Sequence, residues 1–177
     1  MSNTQNIPED IKERLNHFRE EATKHFSFLA DFNYLLDTIE IGRTETFLDY
    51  NCNLSYRNGD TLITIDYSTD IIKGMRTAFP KENESPVIDD RISCSISDLN
   101  AFMSIDSFAA ETQPNLPQDY FSITLNTKNL KDGITRVVKN YSNFFQENLV
   151  SVLRKEKIYD CYTDRFYDKV FKEKHYR

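Results

Sequence analysis

Apolar residues recur every three or four positions at the start of the chain: Ile11, Leu15, Phe18, Ala22, Phe26 and Leu29. That spacing predicts an amphipathic helix over about Pro8 to Ala30. Asn6 with Glu9 three residues on resembles a capping box, and Pro8 falls in the tolerant first turn. From Leu48 the period changes to two. Leu48, Tyr50, Cys52, Leu54 and Tyr56 alternate with polar residues, and Ile63, Ile65 and Tyr67 do the same after Asn58-Gly59. An Asn-Gly pair between two alternating runs predicts a type I′ hairpin. The expected register sets Tyr56 against Thr61, Leu54 against Ile63, Cys52 against Ile65 and Tyr50 against Tyr67. One face of the ribbon is then apolar, and the other carries Asn51, Asn53, Ser55, Leu62, Thr64 and Asp66.

Ser68 to Asp70 reads as a second turn, followed by a strand over about Ile71 to Phe79 that Pro80 ends. Lys81 to Asp90 reads as a polar loop, which makes Asp89-Asp90 a loop pair. Arg91 to Ile96 alternates again and predicts a strand. Ser97 is placed to cap a short helix through Leu99, Phe102 and Met103. Residues 107–119, with Pro114 and Pro117, read as a connector, and Tyr120 to Leu125 as a short strand or a lead-in. Leu130, Ile134, Val137, Val138, Tyr141, Phe145, Leu149 and Val152 form a helical stripe, capped by Asn126 or Thr127, in which Gly133 costs about 1 kcal/mol. A last helix is predicted over about Lys157 to Lys174, with Ile158, Tyr162, Phe166 and Val170 on one side. Helix, strand meander, helices is an α+β order: an antiparallel β-meander with N- and C-terminal helices packed on one face.

Composition narrows the class. At 177 residues the chain suits a single domain, 1–177. Hydrophobic residues make up 39% and only 4 Gly and 5 Pro occur, too apolar and too poor in breakers for a disordered chain. Cys52, Cys94 and Cys161 are odd in number and unclustered, so they predict free thiols in a reducing compartment rather than disulfides or a zinc site. The polar start is no signal peptide, and no apolar run reaches the roughly 20 residues a membrane span needs. A cytoplasmic protein is therefore expected. Net charge is −6, and it is uneven: from Ile92 to Thr127 there is no Lys or Arg, whereas the last fifty residues are basic. A one-sign stretch either keeps a loop solvated or steers a partner of opposite sign.

Motifs of chemistry are missing. Gly42, Gly59, Gly74 and Gly133 are isolated, so no glycine-rich phosphate loop exists, and there is no G-x-S-x-G elbow. His17 and His25 lie about 80° apart around a helix and two turns apart along it, too far to share a metal. Asp160, Asp164 and Asp168 would form a carboxylate row on the last helix, which Lys157, Arg165 and Lys172 are spaced to neutralise. The basic residues of that region interleave with carboxylates, which disfavours phosphate binding. No catalytic residue, metal site or cofactor is expected, and neither a membrane nor a nucleic acid is expected as partner. The candidate partner-binding residues are Asn51, Asn53, Ser55, Leu62, Thr64 and Asp66 on the wet ribbon face, where polar groups surround one apolar anchor, together with Asp89 and Asp90.

Three stretches carry a resemblance: Phe26-Ser-Phe-Leu29 with Phe32-Asn-Tyr34, the run from Tyr56 to Tyr67, and Ser95-Ile-Ser-Asp-Leu99. Over about residues 25–105 the chain resembles small bacterial proteins, some of them immunity proteins of polymorphic toxin systems. The resemblance implies a non-enzymatic protein that neutralises a cognate, basic toxin by occlusion, steered by the acidic residues 82–119, and it implies no catalytic residues. Two other readings stand beside it: a small hydrolase or ligand-binding domain whose site assembles only in space, and a structural protein that homodimerises through the aromatic last helix. A concave pocket holding several carboxylates or His17 would favour the first of these.

Overall fold

A computed structural model describes residues 7–43, 50–72, 87–99, 101–123, 129–160 and 165–168. The helix predicted first is α1 (Glu9–His25), and a 3-10 turn, Ser27–Phe32, continues it. Asn33 then takes a left-handed conformation, with φ of 63°, and reverses the chain. A five-stranded antiparallel meander follows: β1 (Leu35–Arg43), β2 (Tyr50–Asn58), β3 (Thr61–Ile72), β4 (Val87–Asp98) and β5 (Ala101–Ser104), paired in that order. After it come α2 (Ile105–Thr112), α3 (Leu130–Asn148), the single turn α4 (Val150–Leu153), and a separate hairpin of β6 (Lys157–Asp160) and β7 (Arg165–Asp168). The architecture is the expected α+β, with helices on one face of an antiparallel sheet.

The hairpin forms where it was predicted, but its register is displaced by two residues. Tyr56 pairs with Ile63, Leu54 with Ile65, Cys52 with Tyr67 and Tyr50 with Thr69. The turn residues are Gly59 and Asp60, not Asn58 and Gly59. Only Gly59 has positive φ, 60°, and a glycine at the first central position is the II′ pattern rather than I′. Asn58 stays in the strand because both its ends are engaged: its side-chain amide donates to the Phe32 carbonyl at 2.9 Å, and its own carbonyl accepts from Lys155 Nζ at 2.5 Å. A shift of two leaves every side chain on its expected face. Tyr50, Cys52, Leu54, Tyr56, Ile63, Ile65, Tyr67, Ile92, Cys94, Ile96 and Met103 are buried together.

The helices stack on that face. The Phe18 ring of α1 lies 5.3 Å from that of Tyr67, and Phe26 lies 6.5 Å from Tyr56 and 5.6 Å from Phe145 of α3. Phe108 of α2 meets Phe144 of α3 edge-on at 6.0 Å. Tilted and edge-on contacts at these distances are those aromatic quadrupoles favour. Cys52 and Cys94 are free and buried; desolvation pushes the Cys52 thiol up to about 12 and the Cys94 thiol well above its ordinary value.

Several expectations are corrected. Strand β1 was not foreseen. Ser68 to Asp70 is no turn, since β3 runs straight through to Ile72. Asp89 and Asp90 are not a loop pair: they lie within β4, opposite Asp70 and Thr69. Ser97 caps no helix; β4 turns directly into β5, which carries Phe102 and Met103, because Ile96 and Met103 face each other on the buried side. The helix that does form, α2, occupies part of the expected connector. Asn129, not Asn126 or Thr127, caps α3, accepting from the Lys131 N–H. The expected last helix is a hairpin over its described parts, with Lys157 opposite Asp168 and Asp160 opposite Arg165. Over the described residues 157–160 and 165–168, strands stand where the carboxylate row and the helix of the alternative homodimer reading were placed. Residues Asn6, Leu48, Gly74, the predicted strand beyond Ile72, Asp164 and Cys161 lie outside the described residues.

Candidate functional site

Two regions combine exposure with organised polar groups. The first is the outer face of the sheet. Alternation sends Asn51, Asn53 and Ser55 of β2 outward, next to Leu62, Thr64 and Asp66 of β3 and Ser93, Ser95 and Ser97 of β4. The six ribbon residues singled out from sequence are thus neighbours on one surface, whereas Asp90 falls on the opposite face with Ile92. A hydrogen-bonded chain crosses the strands: Ser55 Oγ donates to Asn53 Oδ1 at 3.0 Å, and Asn53 Nδ2 donates to Asp66 Oδ1 at 2.5 Å. Burial raises the Asp66 carboxyl above the usual carboxylate range, against the lowering effect of the Asn53 bond. Phe102 of β5 stands opposite Ser97, which stands opposite Leu62. Phe102 is 44% exposed, so the polar face carries two apolar side chains along one row. At the margin, the extra residue of a bulge in β1, Asp37, accepts from Arg57 Nε at 2.8 Å.

The second region is a cleft of about 960 Å³ between β4, α2 and residues 113–123. Two of its lining residues, Asp90 and Asp106, are each bonded to a tyrosine. Tyr67 Oη donates to Asp90 at 2.5 Å, and Tyr141 Oη lies 2.6 Å from Asp106 Oδ1. Arg14 of α1 sits 3.7 Å from the other Asp90 oxygen. Burial raises the Asp106 carboxyl, with the Tyr141 bond acting the other way. Burial and the adjacent carboxylates push both tyrosine hydroxyls above their ordinary value. The far wall is tied to α3. Arg136 donates to the carbonyls of Asp119 at 3.1 Å and Ser122 at 2.8 Å, Asn140 donates to that of Tyr120 at 2.7 Å, and Phe121 stacks on Tyr141 at 4.2 Å.

Sequence reading passed over Asp106 and Tyr141. The available signal was a tyrosine on the apolar stripe of α3, since a buried phenol needs a partner. His17 and His25 serve structure: His17 Nε2 lies 3.0 Å from Thr135 Oγ1 and 3.1 Å from the Lys131 carbonyl, and His25 pairs with Glu21 at 3.4 Å. No histidine lines the cleft. Among the described residues no group of three or more His, Cys, Asp or Glu is placed to hold a metal, and no helix is long and apolar enough to cross a membrane. The cleft's lining mixes polar and apolar residues, with Asp90, Arg91 and Asp106 as its charged groups. Compared with known proteins, the chain matches no family model, no curated protein and no solved structure.

Proposed function

We propose that this is a non-enzymatic binding protein whose partner is another protein, docked on the outer face of the sheet. One observation carries the reading: the helices take up the inner face, while the outer face presents Asn51, Asn53, Thr64 and Asp66, with Ser55 buried among them, around the apolar side chains of Leu62 and Phe102. A rigid sheet with adaptable hydrogen-bonding groups and a small apolar centre suits protein recognition. Within that class an immunity protein fits best, one that covers the active site of a basic toxin. Asp106, Glu111 and Asp119 are exposed in the stretch without Lys or Arg, and they would hasten encounter with a positive surface.

The test is co-expression with the protein encoded by the adjacent gene. Restored growth and a stable complex are expected with the wild type. The double variant Leu62→Arg/Thr64→Arg, folded by circular dichroism, should lose both. A complex untouched by that variant would move the interface off the sheet, and neither rescue nor complex would end the immunity reading. A second reading, a ligand-binding domain, is favoured by the cleft and its two tyrosine–carboxylate pairs. Fluorescence or NMR titration with small cationic ligands that perturbs Tyr120 or Asp106 would support it.

A further inference from the structure

We propose that the cleft beside β4 receives an extended, basic segment of the protein partner, which adds to the sheet as a sixth strand along residues 90–94. This rests on the protein-binding reading above and names a second contact for it.

The pairing pattern leaves the place open. β3 accompanies β4 from Val87 to Ser97, but β5 accompanies it only from Ser95 to Asp98. Among the described residues, no strand lies on the other side of residues 87–94. The cleft touches Asp90, Arg91, Ile92 and Ser93 in succession. Side chains alternate between faces, so a cavity bordered by four consecutive strand residues lies along the strand's edge, not above one face. The cavity thus follows the strand's edge and also reaches Ser68 of β3, opposite Arg91.

The opposite wall is built so as not to fill that edge. Its prolines, Pro114 and Pro117, have no N–H to give. Its carbonyls at Asp119, Tyr120 and Ser122 are held by Arg136 and Asn140 of α3, away from β4. Ala109 and Ala110 of α2 present small side chains to the cavity and leave it wide. Tyr141 Oη lies 3.2 Å from the Ile92 carbonyl and 2.6 Å from Asp106 Oδ1, so its one proton faces two acceptors. The shorter, charge-assisted contact, 2.6 Å to Asp106, takes the proton while Asp106 is ionised. The Ile92 carbonyl is then left for an incoming N–H.

Charge selects the occupant. Arg14 stands 3.7 Å from Asp90, but among the described residues no Lys, Arg or His forms an ion pair with Asp106. A lysine or arginine of an added strand would supply that partner. Backbone pairing would give affinity and alternate side chains specificity, the usual division in strand addition.

The probe is a capped hexapeptide of alternating Lys and Val, titrated into the ¹⁵N-labelled full chain. Binding of about millimolar strength is expected, with amide shifts at residues 90–94 and 116–123 and roughly tenfold slower hydrogen exchange at edge amides. A fully N-methylated counterpart should not bind. A Glu-for-Lys counterpart should bind at least tenfold weaker, and Asp106→Asn, which keeps an acceptor for Tyr141, should narrow that difference. No shifts at about 5 mM peptide, equal binding of the N-methylated form, or shifts confined to the outer face would overturn the proposal. So would a concentration-dependent dimer whose interface amides are those of β4, which would make a second copy the occupant. Leu62→Arg/Thr64→Arg should leave peptide binding unchanged. A partner captured through the outer face with no peptide response would sink this inference alone.

Discussion

The two faces of the sheet are made by the same strands, yet they answer to different constraints. On the inner face Cys52, Leu54, Ile63, Ile65 and Tyr67 are all 0% exposed, and each touches a helix or another strand residue that is equally enclosed. On the outer face, Ser55, Asn53 and Asp66 bond to one another across the strands. Burial dictates the first set; of the second it constrains Ser55 and Asp66 in part and the remainder little. The composition of the outer face is therefore free to follow a partner, and that is where recognition should be sought.

The comparison can be broken by mutation, starting from its strongest side. Phe18→Ala removes a fully buried ring lying on Tyr67 and should cost about 3–5 kcal/mol in urea unfolding. Tyr141→Phe keeps the ring and removes the hydroxyl that lies 2.6 Å from Asp106 and 3.2 Å from the Ile92 carbonyl; about 1–2 kcal/mol should be lost, because Asp106 loses a charge-assisted hydrogen bond. Arg57→Ala breaks the exposed pair with Asp37 and should change stability by about 0.2–1 kcal/mol. Thr64→Ala, in the middle of the outer face, should stay within about 0.5 kcal/mol. A loss there as large as that of Phe18→Ala would mean the outer face is packed, and the contrast would fail.

The smallest effect concerns pH. The Asp66 carboxyl is raised by burial, so its contribution to stability is full below the unfolded carboxylate pKa and is lost as pH rises through the folded value. Asp66→Asn should therefore be more stable than the wild type at neutral pH. That advantage should fade on acidification through the carboxylate range, as read by urea midpoints at each pH. An advantage that instead grew toward low pH would show that Asp66 is held ionised by a partner.

What the sequence disclosed follows the strength of local signals. The stripe Ile134, Val137, Val138, Tyr141 and Phe145 has one period and one solution, and α3 is where it was expected. The alternation around residues 58–59 determined faces, but two turns two residues apart satisfy it equally. Only the distant grips of Phe32 and Lys155 on Asn58 choose between them. β1 was concealed because the apolar run from Phe26 to Leu36 blurs the change of period at Asn33. The C-terminal hairpin was misread because Ile158, Tyr162 and Phe166 fit a helical spacing, while β6 and β7 are four residues each, too short for an alternation to stand out. The cleft was invisible in principle. Asp90 and Tyr67 are 23 positions apart and Asp106 and Tyr141 are 35 apart, so no window of sequence contains either pair.

The seam between α1 and α3 has a consequence for biosynthesis. His17 meets Thr135 across 118 positions, and Ser142 Oγ donates to the His25 carbonyl across 117. At roughly 5–20 residues per second, a ribosome takes about 6–24 s to deliver the second helix after the first. For the later part of that interval the oily stripe of Ile11, Leu15 and Phe18 has the sheet, Tyr67 included, against it but still lacks α3. The nascent chain is thus a natural client for a holding chaperone until its last third emerges.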